Sequence, residues 1–265
     1  PDPEAPPCPP SLLGVTTGWG TGRLARGCHV DLTQTPSAPW RRVQVVPQTE
    51  STNSDLVRQA RAAAPGGEVL VAWEQTVGRG RLDRSWSSPP GTSVSMSFLV
   101  RPARPQPEWG LLPLVTGLGV ADALIGLGAA AVLKWPNDVL LATDQDRKVC
   151  GILAEVVSTP TPGVVVGLGI NFRQTRDQLP VDTATSLRLV GVEASREQVA
   201  QVVLDAVGAV YREWEASGWA TLGASYRRRC VTIGSQVRVL LPGAQVVEGE
   251  AVAVLDDGRL QLRTS

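Results

Sequence analysis

The sequence is poor in the residues that most often build metal centres, disulfide frameworks and membrane spans. Its 265 residues include one histidine, His29, which excludes a zinc site made of several imidazoles and leaves serine-hydrolase chemistry a single candidate base. The four cysteines are widely separated and form no C-x-x-C pair, which argues against a disulfide framework or a zinc knuckle. No apolar run reaches the ~18 residues of a membrane span. Any chemistry must therefore come from Lys, Arg, Asp, Asn, Gln and backbone amides.

The charge balance and the first 39 residues exclude further classes. The chain has 25 basic and 25 acidic residues, which argues against nucleic acid or an anionic membrane as the main partner. Residues 1–39 contain eight of the 21 prolines and show no helical or strand periodicity, so a disordered arm is predicted. This arm has neither the apolar core of a secretory signal nor the paired helices of a helix-turn-helix head.

From about residue 43 the apolar pattern becomes regular and predicts an α+β fold. A capping box at Thr52 and Asp55 is predicted to begin the first helix, and residues 65–67 to follow its end. The alternation of residues 93–100 predicts a strand with a solvated serine face. Short strands and glycine turns beyond residue 221 predict a small barrel. The other predicted elements are strands at 69–73, 139–141, 148–157 and 164–172, and helices at 111–127 and 196–216.

An arginine-rich segment at residues 78–86 is the first candidate for chemistry. Arg79, Arg81 and Arg84 are spaced by glycine and would repel one another unless an anion lay among them. Glycine lets the backbone wrap and close over such an anion. The alternatives are a solvated basic hairpin or an RG-type nucleic-acid segment.

A second candidate is the turn Lys134-Trp135-Pro136-Asn137-Asp138. Proline and the Asn-Asp pair predict a tight turn, with Lys134 ending one strand and Asp138 beginning the next. A cation and a carboxylate on one turn are suited to phosphate and Mg²⁺, although a purely structural turn would have the same residues.

Three shorter signals have structural explanations as well as functional ones. Lys148 begins an apolar strand and Gly151 lies within it, which is typical of close ligand approach, but an edge lysine would also protect a sheet. Residues 51–53 provide helix-capping types that could equally bind a polar ligand. The Gly167-x-Gly169 pair lacks the third glycine of a dinucleotide fingerprint, and there is no P-loop, so both nucleotide folds are rejected.

Taken in order, these segments closely resemble the biotin protein ligases. The resemblance covers roughly residues 43–214, with a plausible continuation to the C-terminus. It is carried by Ser51-Thr52-Asn53, Glu74-Gln75-Thr76-Val77-Gly78-Arg79-Gly80-Arg81, Lys134-Trp135-Pro136-Asn137-Asp138, Lys148-Val149-Cys150-Gly151-Ile152-Leu153 and Gly167-Leu168-Gly169-Ile170-Asn171.

The resemblance implies a fold and a division into domains. It implies a mixed central sheet with flanking helices, similar to class II synthetases, followed by a small SH3-like β-barrel. The expected domains are an arm at 1–39, a catalytic domain at 40–218 and a barrel at 219–265. The barrel stops at residue 265, where the family usually has further strand, so it is expected to be truncated. The DNA-binding head of the repressor form has no counterpart, so no nucleic acid is expected as partner.

The resemblance also implies a two-step reaction and a role for each site residue. Biotin and ATP would form biotinyl-5′-AMP, and a lysine of a biotin carboxyl carrier domain would then take the biotinyl group. Lys148, Arg79 and Arg81 would be catalytic, and Asp138 would hold Mg²⁺. The biotin-binding residues would be Ser51, Thr52, Asn53, Gln75, Arg79, Gly80, Arg81, Trp86, Lys148 and Gly151. The ATP-binding residues would be Arg84, Lys134, Asn137, Asp138 and Asn171.

Since the adenylate would hydrolyse if water reached it, residues 79–86 are expected to be mobile without biotin and to close over the ligand. The enzyme is expected in the cytoplasm, without a membrane partner, as a monomer or homodimer. Two alternatives are a lipoate or octanoate ligase or transferase of the same fold, and a non-catalytic biotin-binding regulator.

Overall fold

The computed structural model describes residues 31–32, 37–81, 84–86, 88–241, 243 and 245–264. The arm predicted at residues 1–39 lies almost entirely outside them. The helices are α1 (Thr52–Arg61), α2 (Leu112–Gly126), α3 (Arg196–Ser217) and α4 (Trp219–Arg229). The strands are β1 (Arg42–Val46), β2 (Glu68–Ala72), β3 (Gly78–Arg79), β4 (Ser85–Trp86), β5 (Ser93–Val100), β6 (Ala131–Lys134), β7 (Asp138–Leu141), β8 (Arg147–Val157), β9 (Gly163–Asn171), β10 (Gln236–Leu240), β11 (Val246–Val254) and β12 (Leu260–Arg263).

Seven strands form one central sheet in the order β1-β2-β5-β9-β8-β7-β6. Strands β1 and β2 run parallel, whereas every other neighbouring pair is antiparallel. Short turns connect β6 to β7 and β8 to β9, as expected for antiparallel neighbours. The predicted mixed central sheet with flanking helices is therefore confirmed.

One face of this sheet carries the main core beneath α2 and α3. Val94, Met96 and Phe98 point into it from β5 and are almost fully buried. Helices α2 and α3 approach closely at Gly119, where a Cβ would lie 2.6 Å from the Cα of Val207. A larger side chain at this position would force the two helices apart.

The opposite face of β5 is buried too, so the prediction of a solvated serine face was wrong. Ser93, Ser95 and Ser97 are each at most 1% exposed. Helix α1 covers the far end of this face through an apolar cluster that includes Leu56 and Leu99. Strand periodicity separates the two faces, but it does not reveal which face another element covers.

The first helix begins one residue earlier than the predicted capping box. Ser51 is the N-cap, and its hydroxyl accepts a hydrogen bond from the backbone N–H of Ser54. Asp55 instead accepts the hydroxyl hydrogen of Thr49 at 2.5 Å. The Thr52–Asp55 capping box was therefore wrong, and Thr52 is left with its side chain free for other contacts.

Helix α2 is the apolar helix of the core. The helical segment Gln106–Gly126 is long and apolar enough to span a membrane by composition alone. However, 72% of its apolar 18-residue window is buried inside the fold. Pro113 lies in its first turn, where proline is tolerated. These contacts identify a core helix of a packed domain.

The C-terminal part is built from a helix followed by a three-stranded antiparallel sheet, β10-β11-β12. Residues 219–229 form α4, a helix that the sequence did not predict, and the predicted short strands follow it from Gln236. Trp219 and Tyr226 bury this helix against the core, and their rings lie 5.7 Å apart. The sheet is joined to the central one through Val231, whose N–H donates to the carbonyl of Leu133.

Candidate functional site

A cavity of about 900 Å³ lies between the end of the central sheet and the C-terminal sheet. Every predicted site residue except Asn171 lines it, so segments that are far apart in sequence converge on one place. The predicted residues that line the cavity are Ser51, Thr52, Asn53, Gln75, Arg79, Gly80, Arg81, Arg84, Trp86, Lys134, Asn137, Asp138, Lys148 and Gly151.

Asn171 lies at the end of β9 but does not line this cavity. It is 4% exposed, and its amide donates to the carbonyl of Thr185 at 2.9 Å while accepting from Gln174 at 3.2 Å. Its hydrogen bonds therefore hold the chain that follows β9. The structure does not bring Asn171 to the predicted ATP-binding position.

Buried side chains at the start of α1 form a polar floor at one end of the cavity. The backbone N–H of Thr52 donates to the side-chain oxygen of Gln75 at 2.8 Å. The Thr52 hydroxyl lies 2.7 Å from that of Ser97, which donates to the Asn53 carbonyl oxygen at 2.6 Å. The Asn53 amide nitrogen in turn donates to Glu155 at 2.9 Å. We call Thr52, Asn53, Ser97 and Glu155 the polar floor.

Glycines of β8 and β9 let large side chains lie flat against the sheet beside this floor. A Cβ at Gly169 would come within 2.4 Å of the Trp86 indole, and one at Gly151 within 3.0 Å of the Lys148 side chain. The Trp86 indole N–H is buried and has no hydrogen-bond partner among the described residues. The indole is therefore placed to cover an apolar ligand.

Lys148 is held at the centre of the cavity by its backbone and its charge. Its N–H donates to the carbonyl of Thr183, and its carbonyl accepts from Thr185, each at 2.8 Å. Its ammonium lies 2.6 Å from a carboxylate oxygen of Asp138 and 5.7 Å from the Trp86 ring centroid. These contacts restrict the conformation of the Lys148 side chain, so its ammonium group stays at the cavity.

The segment that pairs with Lys148 is fixed by a second charged group, Asp144. Its carboxylate accepts from Arg147 at 2.7 Å and from Arg176 at 2.8 Å. Desolvation opposes ionisation of Asp144, but hydrogen bonds from Thr185, Arg176 and Arg147 outweigh it and lower the pKa of the carboxyl. Sequence reasoning missed this group because its members become neighbours only in the fold.

The arginine segment is a short hairpin of β3 and β4, whose described residues reach over the cavity. The Gly80 N–H donates to the carbonyl of Arg84 at 2.6 Å. Arg79 pairs with Glu155 at 2.9 Å, and Arg81 donates to the side chain of Asn137 at 3.3 Å. Half of the Arg79 side chain remains exposed, so single polar contacts tie the described part of the hairpin to the cavity wall.

The Lys134–Asp138 turn connects the cavity to the C-terminal sheet. Trp135 donates from its backbone to the Thr232 hydroxyl and from its indole to the Gly258 carbonyl, each at 2.9 Å. Asn137 donates to the Ile152 carbonyl at 2.8 Å. The side chains of Lys134 and Asp138 flank this turn and line the cavity, as the sequence predicted.

The C-terminal sheet adds a side of the cavity that no sequence motif predicts. Arg238 of β10 lines it, together with the apolar Val237 and Val239. No motif marks these residues, and alternation in a strand does not say what the strand faces. The chain has only two lysines, Lys134 and Lys148, and both line this cavity.

The described residues contain no group of three or more His, Cys, Asp or Glu that could hold a metal by themselves. Two carboxylates, Asp138 and Asp146, line the cavity, and Asp138 pairs with Lys148. One carboxylate supplemented by substrate phosphate oxygens is a donor set that Mg²⁺ accepts. Cys150 is an unsuitable nucleophile, because burial raises the pKa of its thiol.

Comparison with known proteins gives consistent family assignments. The model of the biotin/lipoate A/B protein ligase family matches residues 43–171, and that of the biotin protein ligase C terminal domain matches residues 232–265. A biotin--[acetyl-CoA-carboxylase] ligase from Mycobacterium tuberculosis is 43% identical over 230 residues, which cover 84% of each chain. One from Paracoccus denitrificans is 31% identical over 227 residues, which cover 82% of this chain and 92% of that protein.

Among solved structures, the biotin protein ligase from Aquifex aeolicus in complex with biotin and ATP has a TM-score of 0.73 to this chain. The two are 29% identical, and the match covers 85% of this chain and 93% of the other.

Proposed function

Because this chain belongs to the biotin protein ligase family, we propose that it attaches biotin to one lysine of a biotin carboxyl carrier domain in an ATP-dependent reaction. The observation that carries this proposal is the convergence of Arg79, Arg81, Lys134 and Lys148 on one cavity. The two reactants, a carboxylate and a nucleoside triphosphate, are both anions and repel each other. A group of cations in the cavity would offset this repulsion and allow them to bind side by side.

In the first step a biotin carboxylate oxygen attacks the α-phosphorus of ATP. The bond from that phosphorus to the bridging oxygen breaks, and pyrophosphate leaves with the electron pair. Lys148 lies at the centre of the cavity, where it would stabilise charge shared by the carboxylate and the phosphate oxygens. Arg79 and Arg81 would hold the carboxylate from the hairpin side. No enzyme nucleophile is required.

In the second step the amine of the carrier lysine attacks the carbonyl carbon of biotinyl-5′-AMP. The bond from that carbon to the phosphate oxygen breaks, AMP leaves, and the amine loses a proton as the amide forms. Catalysis consists of positioning and charge stabilisation, and the described residues that line the cavity include no histidine.

The polar floor is suited to the ureido end of biotin, and the Trp86 indole to its apolar rings and chain. Ser51 and Gln75 would complete the ureido contacts, with Gly80 and Gly151 allowing close backbone approach. Arg84, Lys134 and Asn137 are assigned to ATP phosphates. Asp138 would bind Mg²⁺ when the nucleotide is present. The ion would supply additional neutralisation of phosphate charge.

The assignment of partner and location follows from this chemistry. The acceptor is proposed to be the carrier domain of a biotin-dependent carboxylase. Since the reaction consumes ATP, we place the enzyme in the cytoplasm. The chain carries equal numbers of basic and acidic residues, which supports a protein rather than a nucleic acid as macromolecular partner.

The proposal is tested by incubating the purified protein with ATP, Mg²⁺, biotin and a purified carrier domain, followed by mass spectrometry of the carrier. We expect one biotinyl group on one lysine, and none when ATP is omitted. A parallel reaction with lipoate and a lipoyl domain tests the alternative substrate. Lipoylation without biotinylation would overturn the proposal.

A second measurement separates a ligase from a protein that only binds biotin. Biotin-dependent exchange of labelled pyrophosphate into ATP reports the first step alone and needs no carrier domain. We expect exchange with biotin and none with lipoate. Tight biotin binding without exchange would identify a non-catalytic regulator instead.

A further inference from the structure

We infer that Glu155 is a positioning residue that sets the direction of the hydrogen bonds in the polar floor and thereby its selectivity for a ligand with ring N–H groups. This inference rests on the proposed biotin ligase function. Glu155 lies on β8 and contacts two predicted biotin-binding residues at once, Arg79 through one carboxylate oxygen and Asn53 through the other. It was not recognised in the sequence because glutamate is common on strands that end at a surface.

The orientation of the Asn53 amide follows from which atoms can donate a hydrogen bond. A carboxylate has only acceptors, so the atom of Asn53 that faces Glu155 at 2.9 Å must be its amide nitrogen. The carbonyl oxygen of Asn53 therefore faces Ser97, at 2.6 Å. Because that oxygen can only accept, the single hydroxyl hydrogen of Ser97 is committed to it.

The direction of the hydrogen bond between Ser97 and Thr52 follows in the same way. With its hydrogen committed to Asn53, Ser97 can only accept from Thr52, whose hydroxyl lies 2.7 Å away; the single Thr52 hydrogen also has the Gln75 side-chain oxygen within 3.0 Å, so both of its partners are acceptors. The chain of donors therefore runs from Thr52 to Ser97, from Ser97 to Asn53 and from Asn53 to Glu155. The Glu155 carboxylate is the nearer of two acceptors on the Asn53 amide, the other being the Leu153 carbonyl at 3.4 Å, and its charge strengthens the direction of all three hydrogen bonds.

This direction determines what the floor offers a ligand. Thr52 and Asn53 both line the cavity, and both are left with oxygen lone pairs rather than hydrogens to offer. Two acceptors in a buried place bind a ligand that brings N–H donors, such as the ureido ring of biotin. They reject a ring without such donors, such as the dithiolane of lipoate, because buried acceptors would lose their water and gain no partner.

Space at the floor supports the same conclusion. A Cβ at Gly167 would fall 1.7 Å from the Asn53 carbonyl oxygen, so that oxygen lies directly against the backbone of β9. Asn53 and Ser97 are at most 5% exposed, and bulk water therefore cannot readily replace a lost hydrogen bond. The order imposed by Glu155 is preserved by burial.

The first test is Glu155→Gln, which keeps the shape of the side chain but allows it to donate as well as accept. Isothermal titration without ATP is expected to show biotin binding weakened at least ~10-fold, with ATP binding changed less than twofold. The preference for biotin over lipoate is expected to fall by a similar factor. Glu108→Gln is the matched control, since Glu108 is a half-buried carboxylate paired with Arg104 away from the cavity. Unchanged biotin affinity and selectivity in Glu155→Gln would overturn the inference.

A reciprocal exchange keeps the test sharp if Glu155→Gln folds poorly. Asn53→Asp alone sets two carboxylates against each other and should abolish measurable biotin binding. In Asn53→Asp with Glu155→Gln, the glutamine can donate to the aspartate, which still accepts from Ser97. The double variant should bind biotin at least ~10-fold more tightly than Asn53→Asp. A double variant no better than Asn53→Asp would contradict the inference.

The wild-type protein separates the two levels of the proposal. If it binds biotin and catalyses pyrophosphate exchange while the Glu155 variants behave like wild type, only the role of Glu155 fails. If it binds no biotin at all, the ligase function fails and this inference falls with it.

Discussion

The polar floor and the arginine hairpin contact the same cavity but are stabilised in opposite ways. Asn53 and Ser97 are at most 5% exposed, and each has its hydrogen-bonding atoms matched to neighbours. Arg79 on the hairpin is half exposed and contacts the floor through one ion pair. An exposed ion pair contributes ~0–1 kcal/mol, whereas breaking a buried polar network costs more.

This difference indicates a division of labour between recognition and closure. The floor is organised before any ligand arrives, so it can select a ligand without rearranging. The described part of the hairpin can exchange its contact with Glu155 for a ligand carboxylate, because both are anionic partners for the same guanidinium. Four experiments test how far this contrast holds.

The largest effect is expected for Lys148→Ala, which removes the charge between the two regions. Loss of one such contact typically costs ~2–4 kcal/mol of transition-state stabilisation, so pyrophosphate exchange should fall ~10²–10³-fold or more. The fold should persist, since a third of the side chain is exposed. Arg259→Ala is the control, because Arg259 is exposed in the turn between β11 and β12. Unchanged pyrophosphate release would refute the role assigned to Lys148.

Next in size is Gly167→Ala, which disturbs the floor without changing any charge. The added methyl would displace the Asn53 carbonyl oxygen, and overpacking of this kind costs ~1–3 kcal/mol. Biotin affinity measured by titration should fall ~10–100-fold, although the variant leaves the sequence of the hairpin unchanged. Gly126→Ala serves as control because no atom lies within 4 Å of its added Cβ. Equal affinities in the two variants would mean that the floor is not preorganised.

A smaller effect is expected in amide hydrogen exchange. Adding biotin should slow exchange of residues 79–81 and 84–86 by about tenfold, because closure is expected to protect them. Amides of β9, which packs against the polar floor at Gly167, should change little. Equal protection of the hairpin with and without biotin would count against closure, and a large change in β9 would count against a preformed floor.

The smallest effect is expected from Asp144→Asn, which loosens the segment behind Lys148. Losing charge-assisted hydrogen bonds at this position should lower the melting temperature by ~2–4 °C at pH 7. Because the native pKa of Asp144 is lowered, its contribution is present above the unfolded value of 3.8 and is lost as pH falls below it. The difference in stability between the two proteins should therefore shrink as pH falls below 3.8 and disappear below the lowered native pKa of Asp144.

Asp257→Asn provides the control for this pH series. Asp257 also has a lowered pKa, owing to Arg259, but the pair is exposed and lies two residues apart. Its removal should leave the melting temperature unchanged at every pH. A difference between wild type and Asp144→Asn that does not shrink as pH falls below 3.8 would show that the effect does not come from the carboxylate.

The elements and the converging site residues could be predicted from the sequence because local patterns determine them. Pro136 and the Asn137-Asp138 pair predicted the turn that presents Lys134, and the structure contains that turn. Ser97 could not be interpreted correctly, because its burial depends on α1, which packs over the strand from another part of the chain. Helix α4 was not predicted, because no strong helical period marks residues 219–229.

Asn171 and Glu155 show the same limit at the level of the site. The motif around Asn171 was found, but its side chain turns towards Thr185 and not into the cavity. Glu155 belongs to no motif that was recognised, yet it contacts two site residues. Motifs identify which segments meet, whereas the direction of a side chain depends on neighbours that only the fold supplies.

The two lysines of the chain have a consequence for an enzyme that makes an acylating agent. An acyl phosphate reacts with any accessible side-chain amine, and a surface rich in lysine would capture the activated vitamin before the carrier could. All other basic side chains of this protein are guanidinium groups or the single imidazole, and a guanidinium is a poor nucleophile because it stays protonated. The protein thereby offers its own product few targets, and the activated group is kept for the partner that brings an amine to the cavity.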